Sequence, residues 1–207
     1  MRGHFKRNGV RFSVESDEPE FGDIVEVIER DVSFSYEILR IANTAYYYRG
    51  SKVTSVRQAA IKLGINELKK WAYITVLRKM GGENYDPIIN ISVQRAKSLE
   101  LLSQKTGLGE RNMELFTIGI LSMIDILSGV SMEMLLEELP LTNEAKQILL
   151  GDFDEDKMSV CFKLILAYEK GEWEQVFALT DRHGISVEDV AESYYEAVIW
   201  MDQADMN

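Results

Sequence analysis

The chain has 207 residues, 46% of them hydrophobic and 28% charged, a globular composition that excludes an intrinsically disordered protein. The formal net charge of −11 argues against a nucleic-acid-binding surface, because affinity for phosphates depends on clustered lysine and arginine. Since there is a single cysteine, Cys161, and no apolar run long enough to span a bilayer, we expect a cytoplasmic protein without disulfides or membrane segments.

Helical periodicity of the apolar residues runs from about residue 20 to about residue 82, which we interpret as an N-terminal helical lobe. The basic segment 1–19 lacks the apolar core of a signal peptide, and we expect it to be a leader or the stub of a preceding domain. Within the lobe, Ser55 and Gln58 have the spacing of a capping box, and Asn66 is predicted to cap the following helix.

Residues 81–87 combine paired glycines with an Asp-Pro and form the strongest internal boundary in the chain. A C-terminal helical lobe is predicted over about residues 88–207, with helix caps at Ser131, Thr142 and Ser186. Its predicted helix over residues 112–128 is hydrophobic nearly all round, as expected for the central element of a bundle. No segment has convincing strand periodicity, so the sequence predicts a compact all-α bundle of about ten helices.

The sequence carries no recognisable motif for catalysis or cofactor binding. His4 and His183 are the two histidines, and neither has a second histidine at metal-ligand spacing, so no metal site is predicted. Gly107 and Gly109 lack the third glycine of a dinucleotide-binding turn, and the sequence has no phosphate-binding loop. We therefore predict neither catalytic residues nor a bound cofactor.

Polar residues in the apolar C-terminal helices indicate a buried polar site. Ser122 and Asp125 share one face of the predicted central helix, and a buried carboxylate requires a partner. Arg95, which lies among small residues, is the expected partner of Asp125, with Glu100 as a competing acid. A structural ion pair is the simpler interpretation of such a contact.

Several segments of the chain together carry a resemblance to a known family. They are IERDVSFSYEILRIANTA at 28–45, VTSVRQAAIKLG at 53–64, ELKKW at 67–71, RAKSLELL at 95–102, LFTIGILS at 115–122, LEELPL at 136–141 and YEAVIW at 195–200. In combination they resemble the HDOD domain, in the branch in which this domain follows an EAL domain. The resemblance covers about residues 20–202.

The resemblance implies an all-α fold derived from HD-type phosphohydrolases and a place in bacterial signal transduction, as partner of an EAL-type cyclic di-GMP phosphodiesterase domain. The catalytic ancestors bind metal through His, His-Asp and Asp residues. At the approximate corresponding positions this sequence has Arg95 and the pair Ser122-Met123, which cannot replace imidazole and carboxylate ligands. We interpret Arg95, Ser122 and Asp125 as polar residues of a vestigial site. Because the sequence contains no EAL tripeptide, phosphodiesterase activity is not carried over.

Three functional hypotheses follow. The leading one is a non-catalytic regulatory domain that binds a protein partner or an attached signalling domain. The first alternative is a metal-dependent phosphohydrolase with an unorthodox site. The second is a nucleotide sensor with a basic pocket formed by Arg40, Arg49, Lys52 and Arg57 around Asn43, although solvated charges and a helix C-terminus explain these residues equally well. The sequence does not predict an oligomeric state.

Overall fold

The computed structural model describes residues 21–47, 50–81 and 86–204, and every regular element within these ranges is helical. The predicted all-α fold is confirmed, with more helices than the periodicity indicated. The twelve α-helices of the described ranges are α1 (Phe21–Arg30), α2 (Val32–Ala42), α3 (Val56–Leu63), α4 (Ile65–Gly81), α5 (Asp86–Lys105), α6 (Asn112–Leu121), α7 (Ile124–Ser128), α8 (Met132–Glu138), α9 (Asn143–Leu150), α10 (Lys157–Lys170), α11 (Trp173–His183) and α12 (Val187–Gln203). None of these helices combines the length and apolarity needed to cross a membrane. The predicted leader, 1–19, lies outside the described residues.

Ser131 stands at the predicted cap position of α8, but its side chain accepts no capping hydrogen bond. The predicted caps at Ser55, Thr142 and Ser186 are confirmed. Each hydroxyl oxygen accepts a hydrogen bond from a backbone amide in the first turn of its helix, at distances of 3.1–3.2 Å. These bonds satisfy amide groups that have no partner within the helix. The Gln58 side chain also bonds back to the amide of Thr54 at 3.2 Å, which completes the predicted capping box one residue earlier than the standard pattern.

The predicted cap at Asn66 is wrong, because α4 begins one residue earlier, at Ile65. Gly64 ends α3 with a φ of +79°, and its carbonyl oxygen accepts a hydrogen bond from the Leu68 amide at 3.1 Å. Side chains with a Cβ are strained at that φ, so glycine allows the two helices to follow one another without a linker. Asn66 is instead an exposed residue in the first turn of α4.

Two clusters of buried hydrophobic residues form the core, and α5 contributes to both. Its first half, through Ile89 and Val93, packs with α1 to α4, α7 and the end of α12. Its second half, through Leu99 and Leu102, packs with residues of α9, α10 and α11. Polar residues between these positions of α5 therefore lie where the two clusters meet. The predicted lobe boundary falls between the end of α4 and the start of α5, and residues 82–85 of it lie outside the described ranges.

The predicted central helix over residues 112–128 is two helices. Helix α6 ends at Leu121 and α7 begins at Ile124, so Ser122 and its neighbour form a turn between them. The Ser122 hydroxyl donates to the Gly119 carbonyl oxygen at 2.6 Å, a local bond that competes with continuation of the helix. Apolar periodicity continues across the turn and conceals it in the sequence.

Candidate functional site

A close contact between α5 and α6 positions the candidate site. A Cβ atom added to Gly119 in α6 would lie 2.4 Å from the Ala96 Cα in α5, a distance that real side chains do not reach. Glycine at this position therefore brings the two backbones together. The contact places Arg95, the residue before Ala96, beside the turn that follows α6, and an Arg95 terminal nitrogen (Nη1) donates to the Ser122 hydroxyl at 2.7 Å.

The remaining donors of Arg95 bind a carboxylate that the sequence analysis did not identify. Arg95 Nε lies 3.1 Å from both carboxylate oxygens of Glu169 in α10, and Nη2 lies 2.6 Å from Oε2. Both side chains are nearly buried, with exposed fractions of 10% and 13%. This bidentate, charge-assisted geometry is the strong form of an arginine–carboxylate pair.

The predicted ion pair between Arg95 and Asp125 is wrong. Asp125 lies in α7, beyond the turn at Ser122, so it does not continue the face of α6. Its side chain is half-buried, and the guanidinium that was expected to face it is bound by Glu169 and Ser122. The structure thus brings together Arg95 and Ser122, two of the three predicted vestigial-site residues, and within the described residues it shows no hydrogen bond or ion pair between Arg95 and Asp125.

Two tyrosines lie beside the Arg95–Glu169 pair. Tyr168 in α10 and Tyr194 in α12 pack with their ring centroids 5.0 Å apart. Burial, and then the negative charge of Glu169, raise the pKa of Tyr194 above its ordinary value, so this hydroxyl stays protonated near neutral pH. The candidate site therefore consists of an arginine, the Ser122 hydroxyl and a carboxylate that is already paired, with two tyrosine rings beside them.

A second buried polar cluster lies on the other side of α5. Lys70 in α4 contacts Glu67 at 2.5 Å and Glu100 in α5 at 2.7 Å, and Lys97 contacts the other oxygen of Glu100 at 3.1 Å. The Tyr47 hydroxyl donates a hydrogen bond to Glu67. We call these five residues the lysine–glutamate network. Three of them are at most 5% exposed, so the charges depend on one another for solvation.

The network favours the ionised forms of Glu67 and Lys70 despite their burial. Burial opposes ionisation of Glu67, but the charge of Lys70 and hydrogen bonds from Lys70 and Tyr47 outweigh it and hold the Glu67 pKa below its ordinary value. Burial likewise disfavours the charged form of Lys70, yet Glu100 and Glu67 raise its pKa overall. Burial, and then the charge and hydrogen bond of Glu67, raise the pKa of Tyr47.

Aromatic rings enclose the network. Lys97 Nζ lies 5.0 Å from the Trp200 ring centroid, which is within range of a cation–π contact. Trp71 in α4 packs against Trp200 in α12 with centroids 5.3 Å apart. The network therefore joins α4, α5, α12 and the segment after α2. The sequence carried a weak signal for it, because Glu67–Lys70 and Lys97–Glu100 have helical i, i+3 spacing, but such pairs are usually solvated.

Asn43, which is predicted to take part in nucleotide binding, makes hydrogen bonds that stabilise the local fold. Its amide nitrogen donates to the carbonyl oxygens of Leu39 at 2.8 Å and Val53 at 2.9 Å, and its side-chain oxygen accepts from the Val53 amide at 2.8 Å. Asn43 also forms the C-terminal cap of α2. The side chain thus ties the end of α2 to the segment that precedes α3.

The structure describes three of the four basic residues proposed around Asn43. Arg40 pairs with Glu37, one turn earlier in α2, with nitrogen–oxygen distances of 3.0 and 3.2 Å. Lys52 and Arg57 are exposed, and Arg49 lies outside the described residues. Nucleotide binding by this set of residues therefore stays a prediction.

Metal ligands are not gathered in the described part of the chain. Within residues 21–47, 50–81 and 86–204, no group of three or more His, Cys, Asp and Glu side chains could hold a metal ion. His183 lies in the last turn of α11, and His4 lies outside the described ranges. Arg95 itself cannot act as a metal ligand, because a guanidinium carries a permanent positive charge and has no lone pair to offer a cation.

Comparison with known families decides the affiliation of the chain. The family described as the HDOD domain matches residues 8–157. The chain belongs to the HDOD domain family. This agrees with the resemblance of its helical segments and with the all-α fold.

Two curated relatives are similar to this HDOD domain over most of its length. The uncharacterized protein YuxH of Bacillus subtilis is 34% identical over 187 residues, which are 89% of this chain and 44% of YuxH. The cyclic di-GMP phosphodiesterase CdgJ of Vibrio cholerae is 28% identical over 183 residues, 88% of this chain and 42% of CdgJ. The chain therefore spans less than half the length of both relatives. No solved structure matches it significantly.

Proposed function

We propose that this HDOD domain is a non-catalytic regulatory domain of a cyclic di-GMP signalling system, acting in the cytoplasm. One observation carries the proposal: the Arg95 guanidinium, bound to Glu169 and Ser122, lies where the resemblance puts the first metal ligand of HD-type phosphohydrolases. The hydrogen bond between Arg95 and Ser122 supports the approximate alignment, since ancestral ligands at both positions would have to meet at one ion.

The chemistry of the Arg95 site disfavours hydrolysis. Metal-dependent hydrolysis needs neutral imidazole and free carboxylate ligands that bind a cation and lower the pKa of its water. Arg95 repels a cation, Glu169 is neutralised by Arg95, and the Ser122 hydroxyl is a weak ligand. We infer that the ion pair, which links α5 to α10, supplies the electrostatic stabilisation of this site that a metal supplies in the catalytic ancestors.

The proposed signalling context rests on relatives. CdgJ is named as a cyclic di-GMP phosphodiesterase, and more than half of its length lies outside the region that this chain matches. The resemblance to the branch that follows an EAL domain suggests the partner. We propose that the domain binds an EAL-type phosphodiesterase domain, in the same chain or another, and changes its rate.

The catalytic part of the proposal is tested with the purified chain. Hydrolysis of p-nitrophenyl phosphate and of cyclic di-GMP is measured with added Mg²⁺, Mn²⁺ or Fe²⁺, and we expect no turnover. Turnover that is lost in Arg95→Ala but kept in Arg30→Ala, a matched change at an exposed arginine of α1, would favour the phosphohydrolase alternative.

The regulatory part needs a partner. Purified chain is titrated into an EAL-type phosphodiesterase domain from the same organism while cyclic di-GMP hydrolysis is followed. We expect a saturable change in rate with the folded chain and none with heat-denatured chain. An unchanged rate, together with no binding by calorimetry, contradicts the regulatory role. Direct binding of a nucleotide to the isolated chain, weakened by Lys52→Ala, would support the sensor alternative instead.

A further inference from the structure

An apolar groove of about 610 Å³ runs between α2 and α4. Its floor is formed by Trp71 and Ile74, which belong to the core. One wall consists of Val32 and Tyr36, a pair at i, i+4 on α2 that is 83% and 65% exposed. Large apolar side chains at this exposure, next to an apolar floor, form a surface suited to binding another apolar group.

The groove is also cationic at one end. Arg78 and Lys79, in the last turn of α4, line it. Lys79 contacts Asp31 at 2.8 Å at the start of α2, and Glu37, the acid that also lines the groove, is paired with Arg40. In a chain with a formal net charge of −11, this end is a local exception, and it is complementary to most of the molecule's own surface.

Helix α11 has exposed aromatic and acidic side chains, so its charge is opposite to that of the cationic end of the groove. Trp173 and Phe177 are i, i+4 neighbours that project to solvent with exposed fractions of 51% and 53%. The Trp173 ring is supported edge-on by Tyr168, with centroids 5.3 Å apart. Glu174 and Asp181 are exposed on the adjoining side of the same helix. The helix therefore shows two aromatic side chains at anchor spacing beside two acids.

We infer that α11 of one copy of the chain docks in the α2–α4 groove of a second copy. The aromatic pair Trp173 and Phe177 supplies anchors for the apolar floor and the Tyr36 wall. Glu174 and Asp181 supply the charges that complement Arg78 at the cationic end. This is the helix-in-groove mode of recognition, and it joins two different surfaces of the chain.

The experiment measures the mass of the purified chain by sedimentation velocity over a range of concentrations. We expect reversible self-association that weakens about thirtyfold or more in Tyr36→Glu and in Phe177→Glu, as for loss of an interface anchor. Tyr195→Glu on α12 and Ile61→Glu on α3 are matched controls at residues 66% and 68% exposed, and both should associate like the unmodified chain. Circular dichroism verifies that each variant is folded, with Tyr36→Ala and Phe177→Ala replacing any that is not.

Mixing the two disrupted variants identifies the pairing of surfaces. Tyr36→Glu retains an intact α11, and Phe177→Glu retains an intact groove, so their mixture should form a 1:1 complex although each alone is monomeric. An unmodified chain that stays monomeric at its highest soluble concentration overturns the proposal and leaves the groove to a different partner. Association that both variants retain, or a mixture that stays monomeric, overturns it equally.

Discussion

Arg95 in α5 binds the carboxylate of Glu169 in α10 through two guanidinium nitrogens while a third donates to Ser122. The two partners are 74 residues apart in the sequence, and both are nearly buried. The pair therefore joins helices from different parts of the chain, at the position where we propose that catalytic relatives bind metal. Its energetic and chemical consequences are measurable.

Removing either member of the Arg95–Glu169 pair should destabilise the fold strongly. Arg95→Ala or Glu169→Ala leaves an uncompensated buried charge, which costs about 3–5 kcal/mol in such sites. Replacing both by apolar residues, Arg95→Met with Glu169→Leu, should cost much less. A double-mutant cycle by urea denaturation measures the coupling, and additive single effects would show that the pair is not a unit.

The α5–α6 contact should tolerate no methyl group at Gly119. Gly119→Ala places a Cβ against the Ala96 backbone, and such overpacking costs about 1–3 kcal/mol or more. Gly22→Ala is the matched control, because Gly22 lies in α1 with no atom within 4 Å of an added Cβ. Because Gly22 lies in the first turn of α1, that change should alter the free energy of unfolding by less than about 1 kcal/mol. Equal thermal stabilities of the two variants would contradict the close approach.

The lysine–glutamate network should make stability depend on acid pH. Because the pKa of Glu67 is lowered by folding, its contribution is complete above the unfolded pKa and disappears as the pH falls through the folded pKa. The urea midpoint should therefore decrease below about pH 4.3, the ordinary glutamate value. Glu67→Gln should reduce this slope, whereas Glu110→Gln, at an exposed position, should not. The same acid slope in both variants would locate the dependence elsewhere.

Asn43 should act as a structural tie. Its side chain makes three hydrogen bonds to Leu39 and Val53, so Asn43→Ala leaves half-buried backbone groups without partners and should cost about 1–3 kcal/mol. Asn66→Ala removes an exposed asparagine of α4 and should change the free energy of unfolding by less than about 0.5 kcal/mol. An Asn43→Ala variant that is as stable as Asn66→Ala would reopen a ligand-binding role for Asn43.

Local signals in the sequence were sufficient for the fold class and for several helix ends. Ser55, Thr142 and Ser186 cap helices because a hydroxyl oxygen needs to reach an amide only two or three residues away. The predicted cap at Asn66 was wrong because the backbone conformation of Gly64 lets α4 begin directly after it. Residue type alone does not reveal this conformation. The break at Ser122 was hidden because its neighbours are apolar on both sides.

The candidate site was predictable only in part. The expectation that Arg95 is buried and paired was correct in kind, but its partner Glu169 lies in a distant helix, and one sequence contains no signal for that contact. Lys70 and Lys97 resemble ordinary surface lysines of amphipathic helices. Their burial follows from the packing of α4, α5 and α12 around Trp200, which is a property of the tertiary structure.

The central claim, that an arginine–glutamate pair replaces the metal centre of the catalytic ancestors, is tested most directly by metal analysis with thermal unfolding. The purified chain is analysed for Zn, Fe and Mn by mass spectrometry, and its melting temperature is measured with EDTA and with each metal added. The account predicts no stoichiometric metal and an unchanged melting temperature in every condition. A stoichiometric metal that EDTA removes together with stability would contradict it.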